Sequence, residues 1–202
     1  MSFLSFLPPE MTGNVFVSAD LHYGHKNIVR GTSSWSNLDM CRPFDTVEEM
    51  GDVLVNNIND VVGEDDTYIH AGDLAFGGKN NLIEIRERIN CKNFYLILGN
   101  HDKHVPDNSF LFSGVYQFLE FRYNYKFIAM FHYPVGAWQR NGKGSIHLHG
   151  HSHQSYKPTG KMLDIGVEGN DFKPWKLEDA IAKADSREMF LPDHHDEFTD
   201  YG

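Results

Sequence analysis

Cysteine is scarce in this sequence: Cys41 and Cys91 are the two in 202 residues. They cannot form a disulfide framework and are not spaced as metal ligands, so two reduced thiols are expected. No apolar run approaches the roughly 20 residues that cross a bilayer. The first nine residues lack a basic stretch and a cleavage-like site, so no signal peptide is read there. These absences together give a cytoplasmic protein without a membrane partner as the expectation. Cations are also in short supply, with 18 Lys and Arg against 28 Asp and Glu and a formal net charge of −10. A surface of that sign repels phosphate backbones, and no basic patch is interleaved with aromatic residues. Long nucleic acid is therefore not an expected partner. No internal repeat is visible.

Histidine, by contrast, is plentiful. Four of the twelve fall in seven positions, at His147, His149, His151 and His153. An extended chain would put all four on one face, but Gly150 favours a turn after His149. The expected form is a strand followed by a loop that offers His151 and His153 to a common point, as metal ligands do. A solvated histidine tract is the plainer alternative. The rest of the chain supplies similar groups. Residues 14–19 read as a buried strand running into Asp20 and His22. Residues 67–71 form a second strand that delivers Asp73. Residues 94–98 form a third, ending in Gly99, Asn100, His101 and Asp102. A further strand, 126–131, leads to His132. In each case the apolar strand comes first and the polar cluster follows.

Between these strands, Thr46 and Glu49 form a capping box that starts a helix, with Val47, Met50, Leu54, Ile58 and Val61 on one face. A second helix is expected over 80–90 and a third over 177–184. Residues 26–44 read as loop, and 115–122, 126–131, 145–149 and 161–166 as strands joined by short loops, mostly antiparallel. Two mixed sheets packed face to face with helices outside fit this order. One domain over 1–187 is expected, with an acidic, poorly ordered tail over 188–202 that carries His194 and His195.

The donor set of Asp, His and Asn contains only oxygen and nitrogen, which suits Mn, Fe, Zn, Ni or Co. It is too large for one tetrahedral ion. Two divalent ions sharing one carboxylate, about 3.5–4 Å apart, account for it economically. The ordered set Asp20 and His22, Gly72 and Asp73, Gly99 to Asp102, His132, and Gly150 with His151 and His153 resembles the calcineurin-like metallophosphoesterase superfamily. The resemblance spans about residues 15–175. The stretches 20–27, 42–44 and 166–175 are similar to small bacterial or phage members.

This resemblance implies a four-layer α/β/β/α sandwich. It implies Asp20, His22 and His153 at one ion, Asn100, His132 and His151 at the other, and Asp73 between them. It places His101 off the ions as the leaving-group acid, oriented by Asp102. The expected activity is hydrolysis of a small nucleotide-like phosphodiester by metal-activated hydroxide, with manganese the foremost metal. His25 and Arg42 are candidates for substrate contact. Tyr23, Trp35, Phe76 and Trp138 are rings able to stack on a base, each equally suited to a core. The phosphoprotein phosphatase branch follows its Gly-Asp with Asp-Arg-Gly, whereas this chain has Leu74, Ala75 and Phe76. That departure argues against phosphoprotein substrates. A phosphomonoesterase, a short-oligonucleotide nuclease and a non-catalytic metal-binding scaffold are the competing expectations.

Overall fold

The computed structural model describes Leu4 and residues 9–190. Alternation organises the first sheet. In β1 (Val15–Ser18), β2 (Thr67–His70) and β3 (Asn93–Ile97), successive side chains enter two different cores. Phe16, Tyr68, Phe94 and Leu96 face one core. Val15, Val17, Ile69, Tyr95 and Ile97 face the other. Strands buried on both faces read as unbroken apolar runs, which is why their sequences show little polar alternation. The helices α1 (Val47–Asn59) and α2 (Lys79–Arg88) cover the first face through Met50, Leu54, Ile58, Leu82 and Ile85. Thr46 caps α1 by accepting from the Glu49 amide, as the capping box requires. Val61, assigned to the apolar face by spacing, lies past the end of α1 and is exposed.

The second face packs on the other sheet, formed by β5 (Leu119–Tyr123), β6 (Lys126–Met130), β7 (Ile146–His149) and β8 (Met162–Asp164). Ile128, Met130, Ile146, Leu148 and Leu163 join this second core. The last helix, α3 (Leu177–Asp185), contributes Leu177, Ala180 and Ala184 to it. The chain is thus an α/β fold of two mixed sheets flanked by helices.

With β4 (Gly114–Tyr116) and β9 (Trp175–Lys176), the strand order is β4-β3-β2-β1-β9 in one sheet and β5-β6-β7-β8 in the other. Two expectations need correction. The segment 115–122 is not one strand: β4 (Gly114–Tyr116) extends the first sheet beside β3, and β5 starts the second. The chain steps between sheets at Gln117 and Phe118, where neither Gly nor Pro marks the break. The second sheet is also mostly parallel, since β6 pairs parallel to β7 and β7 to β8, with only β5 antiparallel. Parallel neighbours need crossovers, usually helical. Here the crossovers are irregular, so the helical pattern that would have revealed them is absent. A short strand not read from the sequence, β9 (Trp175–Lys176), closes the first sheet antiparallel to β1. The tail beyond residue 190, with His194 and His195, lies outside the described residues. No helix among the described residues is long and apolar enough to cross a membrane.

Candidate metal centre

Because β1, β2 and β3 run parallel, and β6 runs parallel to β7, the polar clusters after each strand meet at one pole. Carboxyl ends of parallel strands are where open α/β sheets bind ligands. Backbone hydrogen bonds tie these loops together. The Asp20, His22 and Tyr23 amides donate to the carbonyls of Gly72, Asp73 and Leu74, and the Gly150 amide donates to His132. Asp20, His22, Asp73, His151 and His153 all adopt positive φ, between 46° and 68°. Left-handed backbone at non-glycine residues costs on the order of 1–3 kcal/mol each and concentrates at functional sites.

Among the described residues, three groups of side chains present ligand atoms within 4.8 Å of one another: Asp20, His22 and His153; Asp73, His132 and His151; and His22, Asp73 and His101. The buried Asp73 is common to two of them. Its Oδ1 accepts the His101 amide at 2.8 Å. Its Oδ2 lies 3.4 Å from His132 Nε2, 3.7 Å from His22 Nε2 and 3.9 Å from His101 Nε2. Asp20 accepts the His151 amide on both oxygens, at 2.9 and 3.0 Å.

The protonation pattern fits a cation. His132 Nδ1 donates to the Ala71 carbonyl, which can only accept. In a neutral ring Nε2 then carries a lone pair, yet it faces Asn100 Oδ1 at 3.1 Å as well as Asp73. His153 Nδ1 likewise donates to Glu168 Oε1 at 2.8 Å, leaving its Nε2 lone pair 3.1 Å from His22 Nε2. Converging acceptors are stable around a positive ion, and a carboxylate or carbonyl behind each imidazole is the usual support of a metal ligand. Charge effects agree. Burial lifts Asp20 to about 7, against the pull of His153 and His132. Burial drops His22 to about 2, helped by the Arg42 charge. For His132, burial lowers the pKa but Asp73 outweighs it, and the net shift is upward. A proton or a metal ion competes for the same atoms.

Two of the candidate residues have their polar groups engaged within the protein. Arg42, a candidate for substrate contact, is 3% exposed. Its five N–H groups are engaged by Glu168 Oε1, the carbonyls of Asp20 and Leu21, and Met50 Sδ, so none is left for a substrate. Asp102, expected to orient the His101 ring, instead accepts three amides, from Asp73, Leu74 and Gly99, at 2.8 to 3.0 Å. Its carboxylate lies beneath the loops and clamps two strand ends together. His25 stands at the rim, its ring on edge to Phe76 at 3.9 Å, and its Nδ1 accepts the Ile28 amide. Burial lowers its pKa to about 4. His101 is partly exposed beside Phe76 and His22. Of the rings considered for stacking, Tyr23 and Trp138 are buried, whereas Trp35 is 44% exposed.

Two residues escaped the sequence reading. Glu168 joins His153 to Arg42, and Asp164 accepts from the Ser152 hydroxyl and from the Gln154 and Gly166 amides, which sets the shape of the histidine loop. The available signal was again an acid at a strand end, after the apolar residues Met162 and Leu163.

Fold and site together define an α/β protein with a histidine–aspartate centre able to hold divalent metal. The family model for calcineurin-like phosphoesterases matches residues 13–126, and the chain belongs to that family. His132, His151 and His153 lie beyond the matched segment. The chain is similar to the Gene 66 protein of Mycobacterium phage L5, at 34% identity over 99 residues, covering 47% of this chain and 42% of that protein. It thus spans less than half the length of that relative. A protein of unknown function from Aquifex aeolicus, AQ665, shares the fold at TM-score 0.63 and 21% identity, covering 84% of this chain and 98% of that one. The nuclease MPE of Pseudomonas putida aligns over 69% of this chain and 61% of its own, at TM-score 0.42 and 20% identity.

Proposed function

We propose that this chain is a phosphodiesterase that uses two divalent metal ions and acts on a small nucleotide-like ester. The position of Asp73 carries the reading, because one carboxylate oxygen stands between the His22 and His132 sides of the cluster, 3.7 and 3.4 Å from their Nε2 atoms. Asp20, His22 and His153 would hold one ion, Asn100, His132 and His151 would hold the other, and Asp73 would serve both. The oxygen and nitrogen donors suit manganese, with iron, zinc, nickel and cobalt as substitutes. Bound ions of this kind supply hydroxide near neutral pH and offset charge on phosphoryl oxygens.

The protein's own groups do the rest. Glu168 and the Ala71 carbonyl hold the His153 and His132 rings so that both Nε2 lone pairs face the cluster. His101, on the open side of Asp73, donates a proton to the leaving oxygen, a role typically worth about 10²–10⁴-fold. Arg42 has no N–H left to grip a phosphate dianion, which favours the singly charged diester over a monoester.

Metal analysis after loading with manganese, followed by rates on bis(p-nitrophenyl) phosphate and p-nitrophenyl phosphate, tests this reading. Two ions per chain and faster diester hydrolysis are expected. Two bound ions without turnover of either ester would leave a metal-binding scaffold, and a preference for the monoester would reverse the ester class.

A further inference from the structure

Two clefts of opposite character flank the metal cluster. The larger, about 560 Å³, runs past His151 and His153 and is walled by Ile28, Trp35, Met40, Pro43 and Phe172. The smaller, about 250 Å³, lies beside His101 and contains Phe76, Gly77, Gly78, Lys103 and His104. Their charges differ. The larger cleft holds the acids Asp39 and Glu168, and Arg42, its one cation, has every N–H engaged within the protein. The smaller holds Lys103 and His104 and no acid. A second phosphate is therefore repelled from the larger cleft.

The wall of that cleft is unusually apolar for an exposed segment. Of the lining residues, Trp35 and Met40 are 44 and 69% exposed. Large apolar groups left open beside a site mark a surface that something covers. Trp35 is not next to the ligands. Its ring is 6.1 Å from that of His25, which is 5.7 Å from that of His22. A group lying on Trp35 must hang from phosphorus through a spacer as thick as the His25 ring. A methyl ester has no such reach, and a sugar does.

Resting on the phosphodiesterase reading above, we propose that the larger cleft binds the retained half of the substrate, a nucleoside whose base stacks on Trp35. The base offers N–H groups to the Asp39 carboxylate. The leaving group lies on the His101 side. Hydrolysis then breaks the bond from phosphorus to the leaving oxygen and forms one from phosphorus to a water oxygen. His101 supplies the proton that the leaving oxygen takes up, the proton released by the attacking water restores His101 through solvent, and the product in the larger cleft is a nucleoside monophosphate.

Two esters with the same leaving group isolate this cleft: thymidine 5′-(p-nitrophenyl phosphate) and methyl p-nitrophenyl phosphate. With manganese-loaded full-length protein, kcat/KM is expected to favour the nucleoside ester at least about tenfold, mainly through KM. Trp35→Ala is expected to shrink that ratio roughly tenfold, and Trp35→Phe to keep most of it. Equal kcat/KM for the two esters in the unmodified protein overturns the proposal, as does a Trp35→Ala variant that lowers both alike. Turnover of neither ester with two ions bound would instead sink the phosphodiesterase reading. The cleft is then read by equilibrium binding of thymidine 5′-monophosphate, with tryptophan quenching that Trp35→Phe alters. Absence of such binding overturns the subsite itself.

Discussion

Arg42 shows how one residue can hold a site it never enters. Its guanidinium donates to the carbonyls of Asp20 and Leu21, and through Glu168 it fixes the His153 ring. All three members of the Asp20, His22 and His153 group therefore depend on one ion pair between the buried Arg42 and the half-buried Glu168, whereas His132 is held by the neutral carbonyl of Ala71. A lysine offers a single ammonium and cannot reproduce the fork. Arg42→Lys and Glu168→Gln are each expected to weaken metal at that group about 10–100-fold and leave the His132 side much less affected. Metal titration by calorimetry reads this as two separated binding steps, and parallel weakening of both steps contradicts it. His101→Ala, in contrast, is expected to keep both ions and to lose about 10²–10⁴-fold on esters with poor leaving groups. Elemental analysis and rates on alkyl esters check the pair of outcomes. At this scale the sequence was legible where a side chain acts by its own chemistry. It was not legible for Arg42 and Asp102, because what a buried charged group does depends on which distant backbone faces it.

The secondary-structure elements act mainly through their ends. Each parallel strand contributes length and direction, and the turn after it contributes a candidate ligand. Those turns are tight enough that a methyl group matters. A Cβ on Gly99 would lie 2.2 Å from Asp73 Oδ1 and 2.5 Å from the Asp73 amide, so the Asp73 carboxylate would have to move. Gly99→Ala is expected to retain the far-ultraviolet circular dichroism of the fold and to lose metal from both groups. Two ions retained at full affinity would show that the turn can relax. Strand and helix positions were readable because periodicity reports burial, as in the 3.6-residue repeat of α1 and the unbroken apolar runs of β1 to β3. The pairing of β6, β7 and β8 was not readable, since irregular crossovers carry no periodic signal. Nor was the step between β4 and β5, where both flanking residues suit a strand equally well.

Over the whole molecule, burial of histidine links stability to pH. His147 is fully buried on β7, its Nδ1 donating to the Ala129 carbonyl and its Nε2 accepting the Val135 amide. Burial lowers its pKa from 6.5 to about 4. The unfolded chain binds this proton more readily than the folded one between those values. His147 therefore supports the fold fully above pH 6.5, and that support is lost as pH falls toward 4. Between pH 7.5 and 5.5 the protein is expected to lose on the order of 1 kcal/mol more stability than a His147→Gln variant. Urea melts of both proteins at the two pH values measure the difference, and equal losses would remove His147 as the cause.

The histidine-rich stretch from His147 to His153 separates what each level of description decides. The sequence alone determined the strand ends, the donor chemistry and the family resemblance, because these follow from local pattern and residue type. It marked His151 and His153 as ligand candidates. Only the tertiary structure decided which acid stands behind His153, and that Arg42 and Asp102 are hydrogen-bonded to the backbone of the loops. Those assignments rest on distances between residues far apart in the chain, such as the 15 positions from His153 to Glu168 and the 126 from Arg42 to Glu168. Local pattern carries no measure of such distances, whereas the packing of two sheets sets them.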